Sequence, residues 1–116
     1  MEFTDSLKRN YEFRRAYRKG RSAAEPCLVV YARRNGKAGN RLGFTVSNKL
    51  GCAVVRNRVR RRLREIYRLN EGRLCRGHEV GVVARSRSVG ADYGRLEREF
   101  LAACAELGLI AKENET

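Results

Sequence analysis

Between Arg56 and Arg68 the chain places seven arginines and a single acid, Glu65. The same stretch carries apolar residues at helical spacing. Val55, Val59, Leu63, Ile66 and Leu69 predict one buried stripe on a helix running from 53 to about 70. At about 100° per residue, Asn57, Arg60, Arg61, Arg64 and Arg68 gather opposite that stripe, within a sector of roughly 100°. Arg58 and Arg62 lie on the flank. Arg56 sits near the helix start, closer to the apolar stripe, and is expected to point sideways along a strand edge. Gly72 is expected to end the element. Such a helix must lay its stripe on another layer of structure and leave a cationic ridge outside.

The ridge is costly as a mere solvated face. Like charges three or four residues apart repel by ~0.2–0.5 kcal/mol per pair, so solvated helix faces usually alternate sign. Five of the arginines, Arg56 to Arg62, also crowd the N-terminal half, where the helix dipole disfavours cations. A bound polyanion would relieve both penalties.

Charge over the whole chain agrees. Lys and Arg number 26 against 13 Asp and Glu, for a net charge of +13. Residues 1–64 hold 18 basic and 4 acidic side chains, whereas residues 65–116 hold 8 and 9. Arginine, the better fork for phosphate oxygens, outnumbers lysine 21 to 5. Nucleic acid is the first partner class implied and an anionic membrane surface the second. A ridge made almost wholly of Arg favours backbone contacts over base reading.

With 116 residues, 42% of them hydrophobic and 34% charged, the chain reads as one globular domain, 1–116, with 112–116 a disordered tail. The longest apolar run, Cys27 to Ala32, is too short to span a bilayer, and the opening MEFTDSLKRN lacks the apolar core of a signal peptide. A soluble, cytoplasmic protein is expected.

The other elements follow from periodicity and punctuation. A short first helix is predicted over about 11–19, with Asn10 as cap, Gly20 as stop, and Phe13, Ala16 and Tyr17 on one face. Residues 27–33 read as a strand with apolar residues on both faces, so both should be covered. Asn35 to Asn40 is a turn. Residues 41–48 are a strand with Leu42, Phe44 and Val46 on a core face and the small residues Gly43, Thr45 and Ser47 opposite. A hairpin of these two strands would put Tyr31 or Val29 near that small face. Residues 78–85 read as a further strand. A last helix spans about 92–108, capped by Asp92, with Leu96, Phe100, Ala103, Cys104 and Leu107 as its stripe. The order is helix, two or three strands, helix, strand, helix: an α+β fold with three helices on a small mixed sheet.

Catalytic signatures are missing. His78 is the one histidine and has no acid or nucleophile partner in sequence. No metal-binding pair, Gly-rich phosphate loop or paired acids appears. Cys27, Cys52, Cys75 and Cys104 are too widely spaced for a zinc site and read as free thiols. The aromatics Phe13, Tyr17 and Tyr31 suit either a core or a stacking platform for single-stranded nucleotides.

The segment GFTVSNKLGCAVVRNRVRRRLREIYR, Gly43 to Arg68, resembles the signature of the bacterial ribonuclease P protein component: a strand ending in VSxK, then G-x-A-V-x-R-N-R, then a basic helix. LKRNYEFRRAYRKG, Leu7 to Gly20, is similar to that family's opening helix, and GVVAR, Gly81 to Arg85, to its last strand. Asn48 departs from a position often basic in the family and brings no cation there. The resemblance implies a fold like ribosomal protein S5 domain 2, with a left-handed strand–helix–strand crossover against the usual rule. It implies a monomeric protein subunit of an endoribonuclease whose RNA subunit carries the active site and its Mg2+ ions and removes the 5′ leader of precursor tRNA. The protein would bind no cofactor of its own. Arg56, Asn57, Arg58, Arg60, Arg61, Arg64 and Arg68 would contact the RNA subunit. Phe13, Arg14, Tyr17, Tyr31, Ser47, Lys49 and Arg85 would hold the leader. The competing readings are a structural RNA binder with no part in cleavage and a protein-only nuclease; reconstitution with and without an RNA subunit separates all three.

Overall fold

The structure, a computed structural model, describes residues 1, 3–6 and 20–110. Five strands form one mixed sheet: β1 (Thr4–Ser6), β2 (Arg21–Ala24), β3 (Leu28–Arg34), β4 (Asn40–Thr45) and β5 (His78–Ala84). Their spatial order is β1-β4-β5-β3-β2. Two helices, α1 (Ala53–Asn70) and α2 (Tyr93–Glu106), complete the α+β architecture. The expected first helix over 11–19, with Phe13, Arg14 and Tyr17, lies outside the described residues, as does the tail 112–116. Three helices were expected; two are present among the described residues.

One face of the sheet is apolar and covered. Leu28, Val30, Leu42, Val80, Val82 and Ala84 bury there with Val59, Leu63, Ile66 and Tyr67 of α1 and Leu96, Phe100, Ala103 and Cys104 of α2. The stripe predicted for α2 and its Asp92 cap, which accepts from Arg95 N at 2.7 Å, are both in place. On α1, however, Leu69 is 57% exposed and Tyr67 is buried instead. The cause is angular. The direction set by Leu63, Ile66, Tyr67 and Asn70 leaves Leu69 about 100° away from the core.

α1 ends where expected, but Gly72 is not its stop. Its last residue is Asn70, whose amide donates to Ile66 O at 2.8 Å and to Glu97 Oε2 at 3.0 Å. Gly72 lies in the 3-10 turn Glu71–Arg73 that follows.

The expected β3–β4 hairpin does not form. β5 lies between them, antiparallel to β3 and parallel to β4. The chain reaches it from β4 through α1, so the strongest helix in the sequence is the crossover of a parallel strand pair. The turn after β3, where Asn35 Oδ1 accepts from Lys37 N at 2.8 Å, therefore spans the end of β5.

Two strands were not foreseen. β1 and β2 are short and polar, and they cap the two sheet edges. A buried polar cluster holds β1 against α1: Tyr67 Oη lies 2.9 Å from Thr4 Oγ1 and accepts from Asn40 Nδ2 at 3.2 Å. The Asn40 carbonyl oxygen of the side chain accepts from His78 N at 2.9 Å, joining the start of β5 to the same cluster.

The second face of β3 is half-buried at Val29, Tyr31 and Arg33. β4 ends at Thr45, short of the predicted residue 48. Ser47 instead opens the 3-10 turn Asn48–Leu50, its Oγ accepting from Lys49 N at 3.2 Å.

Candidate nucleic-acid interface

Two surfaces lie on opposite sides of the sheet. The first is the outer face of α1. With Val59, Leu63, Ile66 and Tyr67 anchored below, Asn57, Arg58, Arg61, Arg64 and Arg68 are exposed, while Arg56 and Arg60 are half-buried. Arg60 Nη1 donates to Asn57 Oδ1 at 3.3 Å, so the asparagine steers the guanidinium along the ridge. Arg56 Nε donates to Gly51 O at 3.2 Å, back toward the turn that precedes the helix rather than along a strand. Arg62, on the flank, donates to Ala91 O at 3.3 Å and ties α1 to the loop before α2.

Among the described residues, only Arg68 of the seven helix arginines meets a carboxylate, the exposed Glu65, through Nε at 3.0 Å. That hydrogen bond and charge hold the Glu65 carboxyl below its ordinary value. No acid stands in the first turn of α1 to meet its N-terminal dipole. The backbone N–H groups of Val55 and Val54 point at Cys52 and hold its thiol below the ordinary value.

The second surface is the other face of the sheet, where Gly43, Glu79 and Gly81 are buried and Tyr31 is half-buried. Its centre is a row of facing residues across four strands: Gly43, Gly81, Tyr31 and Ser22. Two adjacent glycines, both buried, put no side chain of their own beside the tyrosine. Thr45, Val83, Val29 and Ala24 form the next row toward the C-terminal ends of β4 and β5. Ser47, Lys49 and Arg85, all exposed, follow just past those strand ends. At ~3.3 Å per residue, Arg85 stands about 13 Å along β5 from the Tyr31 row. Its guanidinium is held by Glu25 O at 3.1 Å.

The small polar face foreseen on β4 thus does meet Tyr31, through β5 rather than by direct pairing. Tyr31 lies in the central row of this face, while Ser47, Lys49 and Arg85 lie beyond the C-terminal ends of β4 and β5; Phe13, Arg14 and Tyr17 lie outside the described residues. Two further cations went unnoticed. Arg33 and Arg41 flank the buried Glu79 on this face, with Arg33 Nη1 3.4 Å from Glu79 Oε1. Strand alternation from Tyr31 and from Gly43 carried that signal.

Little else among the described residues suggests chemistry. No group of three His, Cys, Asp or Glu side chains could hold a metal, and no helix is long and apolar enough to cross a membrane. All four cysteines are free, Cys27 and Cys104 buried and Cys52 and Cys75 exposed. His78, at the start of β5, has its imidazolium disfavoured by burial.

Comparison with known proteins points the same way. The family model for ribonuclease P matches residues 1–108. The ribonuclease P protein component of Alkaliphilus metalliredigens is 40% identical over 111 residues, covering 96% of this chain and 100% of that protein. That of Natranaerobius thermophilus is 41% identical over 107 residues, covering 92% and 93%. The solved ribonuclease P protein of Staphylococcus aureus superposes with a TM-score of 0.83 at 29% identity, covering 90% of this chain and 96% of that one. The Thermotoga maritima protein gives 0.77 at 29% identity, covering 84% and 93%. The chain belongs to the family of ribonuclease P protein components, the protein parts of an endoribonuclease.

Proposed function

We propose that this chain works as the protein subunit of ribonuclease P, gripping the RNA subunit with one surface and the 5′ leader of precursor tRNA with the other. The observation that carries the reading is the α1 ridge: seven arginines, one carboxylate partner among the described residues, and a buried stripe beneath that holds the charges in place. Arg56, Asn57, Arg58, Arg60, Arg61, Arg64 and Arg68 face the phosphates of the RNA subunit. Tyr31, Ser47, Lys49 and Arg85 guide the leader, with Phe13, Arg14 and Tyr17 assigned to the same path by family resemblance. A single strand suits this face because a base stacks on an aromatic ring while its phosphates meet the flanking cations.

The reactive groups and Mg2+ ions are assigned to the RNA subunit. The protein's share is affinity and placement, as a monomer in the cytoplasm. The S5-like, left-handed β4–α1–β5 crossover and a third helix over 11–19 belong to the same reading, supported by the family likeness.

Reconstitution tests it. Cleavage of precursor tRNA at low Mg2+ and physiological salt is expected to need both this protein and an RNA subunit. Cleavage by the protein alone, or undiminished cleavage without it, refutes the reading. Tyr31→Ala is expected to weaken leader-bearing precursor more than mature tRNA; equal losses would return Tyr31 to a purely structural role.

A further inference from the structure

β4 carries Leu42 and Phe44 on the covered face of the sheet, but the two fare differently. Leu42 is 5% exposed, while Phe44 is only partly buried against the core. The reason is a cavity of about 260 Å³ between the sheet and the arginine helix. Leu42 and Phe44 line its inner side, Arg60 and Arg64 line the helix side, and Ser6, the backbone of Asp5, Met1 and Gly43 complete the edge, the Asp5 side chain sharing the opposite face with Arg41. Arg60 is held toward Asn57 Oδ1 at 3.3 Å. Arg64 has no ion-pair or hydrogen-bond partner among the described residues.

This combination selects its occupant. A bare phosphate leaves the apolar floor of Leu42 and Phe44 without a partner. A purely apolar ligand leaves the guanidinia unused. A nucleobase with its own phosphates suits this lining: the ring lies against Phe44 and Leu42, the Ser6 hydroxyl accepts from its amino or imino edge, and Arg60 and Arg64 grip the phosphates on either side.

We infer that this cavity receives one unpaired base of the ribonuclease P RNA subunit, extruded as the RNA settles on the α1 ridge. The inference rests on the ridge being the RNA-subunit interface and adds a point of base insertion to what is otherwise backbone contact. It gives the protein a fixed register on the RNA, which a row of arginines alone does not.

The test uses the full chain and its own RNA subunit. Base-specific chemical probing is carried out on free RNA and on complexes with the wild type and with two variants. Phe44→Leu removes the aromatic ring and keeps apolar volume. Ser6→Phe fills the cavity from its exposed edge and leaves the core residues in place. The expected result is one nucleotide whose base is protected by the wild type and reactive with both variants. Affinity falls about tenfold, as for loss of one stacked base, and the salt dependence of binding stays unchanged. Melting curves confirm that each variant is folded at the probing temperature; should Phe44→Leu fail this, Ser6→Phe decides alone. The absence of any base protection that the folded variants lose overturns the inference. Binding by Arg60→Ala/Arg64→Ala with unaltered salt dependence would instead remove the ridge from the interface. That is failure of the underlying reading, and it would take the inference with it.

Discussion

Replacing Arg60 and Arg64 together with alanine is expected to move binding and stability in opposite directions. Both lie on the outer sector of α1, and neither meets a carboxylate among the described residues. In the RNA-free protein the change removes four like-charge pairs at three- or four-residue spacing: Arg56–Arg60, Arg60–Arg64, Arg61–Arg64 and Arg64–Arg68. At ~0.2–0.5 kcal/mol each, relief amounts to about 1–2 kcal/mol at low salt, less the small Arg60–Asn57 bond. The free variant should therefore melt no lower than the wild type, and higher at low salt. Binding behaves differently. Each phosphate contact contributes ~0.9 to the slope of log affinity against log salt concentration. Two lost contacts lower the slope by about 1.8. Between 50 and 200 mM salt the wild type then loses roughly 12-fold more affinity than the variant does. Filter binding or fluorescence anisotropy with the RNA subunit over that range measures the slope, and thermal melting without RNA measures stability. Arg98→Ala, an exposed arginine on α2, serves as the control and should leave the slope unchanged. Equal slopes for wild type and double variant would refute the reasoning. So would a lower melting temperature of the free variant, since the ridge would then be stabilising in its own right.

Two further predictions concern the scaffold. Glu99 is 8% exposed; burial works to raise its carboxyl, but Cys27 N at 2.7 Å and Arg95 Nε at 2.8 Å both donate to it and hold it below the ordinary 4.5. A depressed carboxyl contributes stability that is present above pH 4.5 and is lost as pH falls toward the folded value, so Glu99→Gln should flatten the acid side of the stability curve below pH 4.5 in urea titrations. Thiol alkylation of the native protein should begin at Cys52, exposed and lowered by the amides of α1, and reach Cys104 only on unfolding, because burial pushes that thiol up to about 12. Early modification of Cys104, mapped by mass spectrometry, would mean that the α2 core opens far more readily than its packing allows.

How much of this was legible in the residues depends on the range of the signal. α1, α2 and β5 announce themselves through local periodicity and caps, and their limits agree with the sequence to within two residues. The ridge follows from the same arithmetic, because an angle on a helix is a local quantity. Pairing is not local. Nothing in 27–48 says that its two strands are parted by a third arriving thirty residues later, so Tyr31 could be placed near Gly43 but not by the right route. β1 and β2 are three and four residues long with no apolar alternation of their own. They are strands because neighbours supply ladder partners and because Tyr67 and Asn40 anchor Thr4. Leu69 shows the converse error. Its spacing fits the stripe, yet Tyr67 takes the core position because the stripe turns slowly around a helix of 18 residues.

The fold also explains how so poor a helix can exist. The arginines of α1 form six like-charge pairs at three- or four-residue spacing, a repulsion of roughly 1–3 kcal/mol in total. Beneath them Val59, Leu63, Ile66 and Tyr67 are each no more than 2% exposed. Burying side chains of this size contributes ~1.5–3 kcal/mol apiece, so the core outweighs the charge by a clear margin. Without that layer the segment would spread its charges along a flexible chain and lose entropy on meeting RNA. With it the guanidinia are already in a row before the partner arrives. The stripe and the ridge are therefore one device. Apolar burial on the inner face keeps a locally unfavourable charge pattern in order, and under the proposed function the polyanion recovers the repulsion as affinity. Under the proposed function the second face of the sheet, on the far side of the same layer, takes the single strand while α1 holds the folded RNA, and neither surface competes for the other's cations.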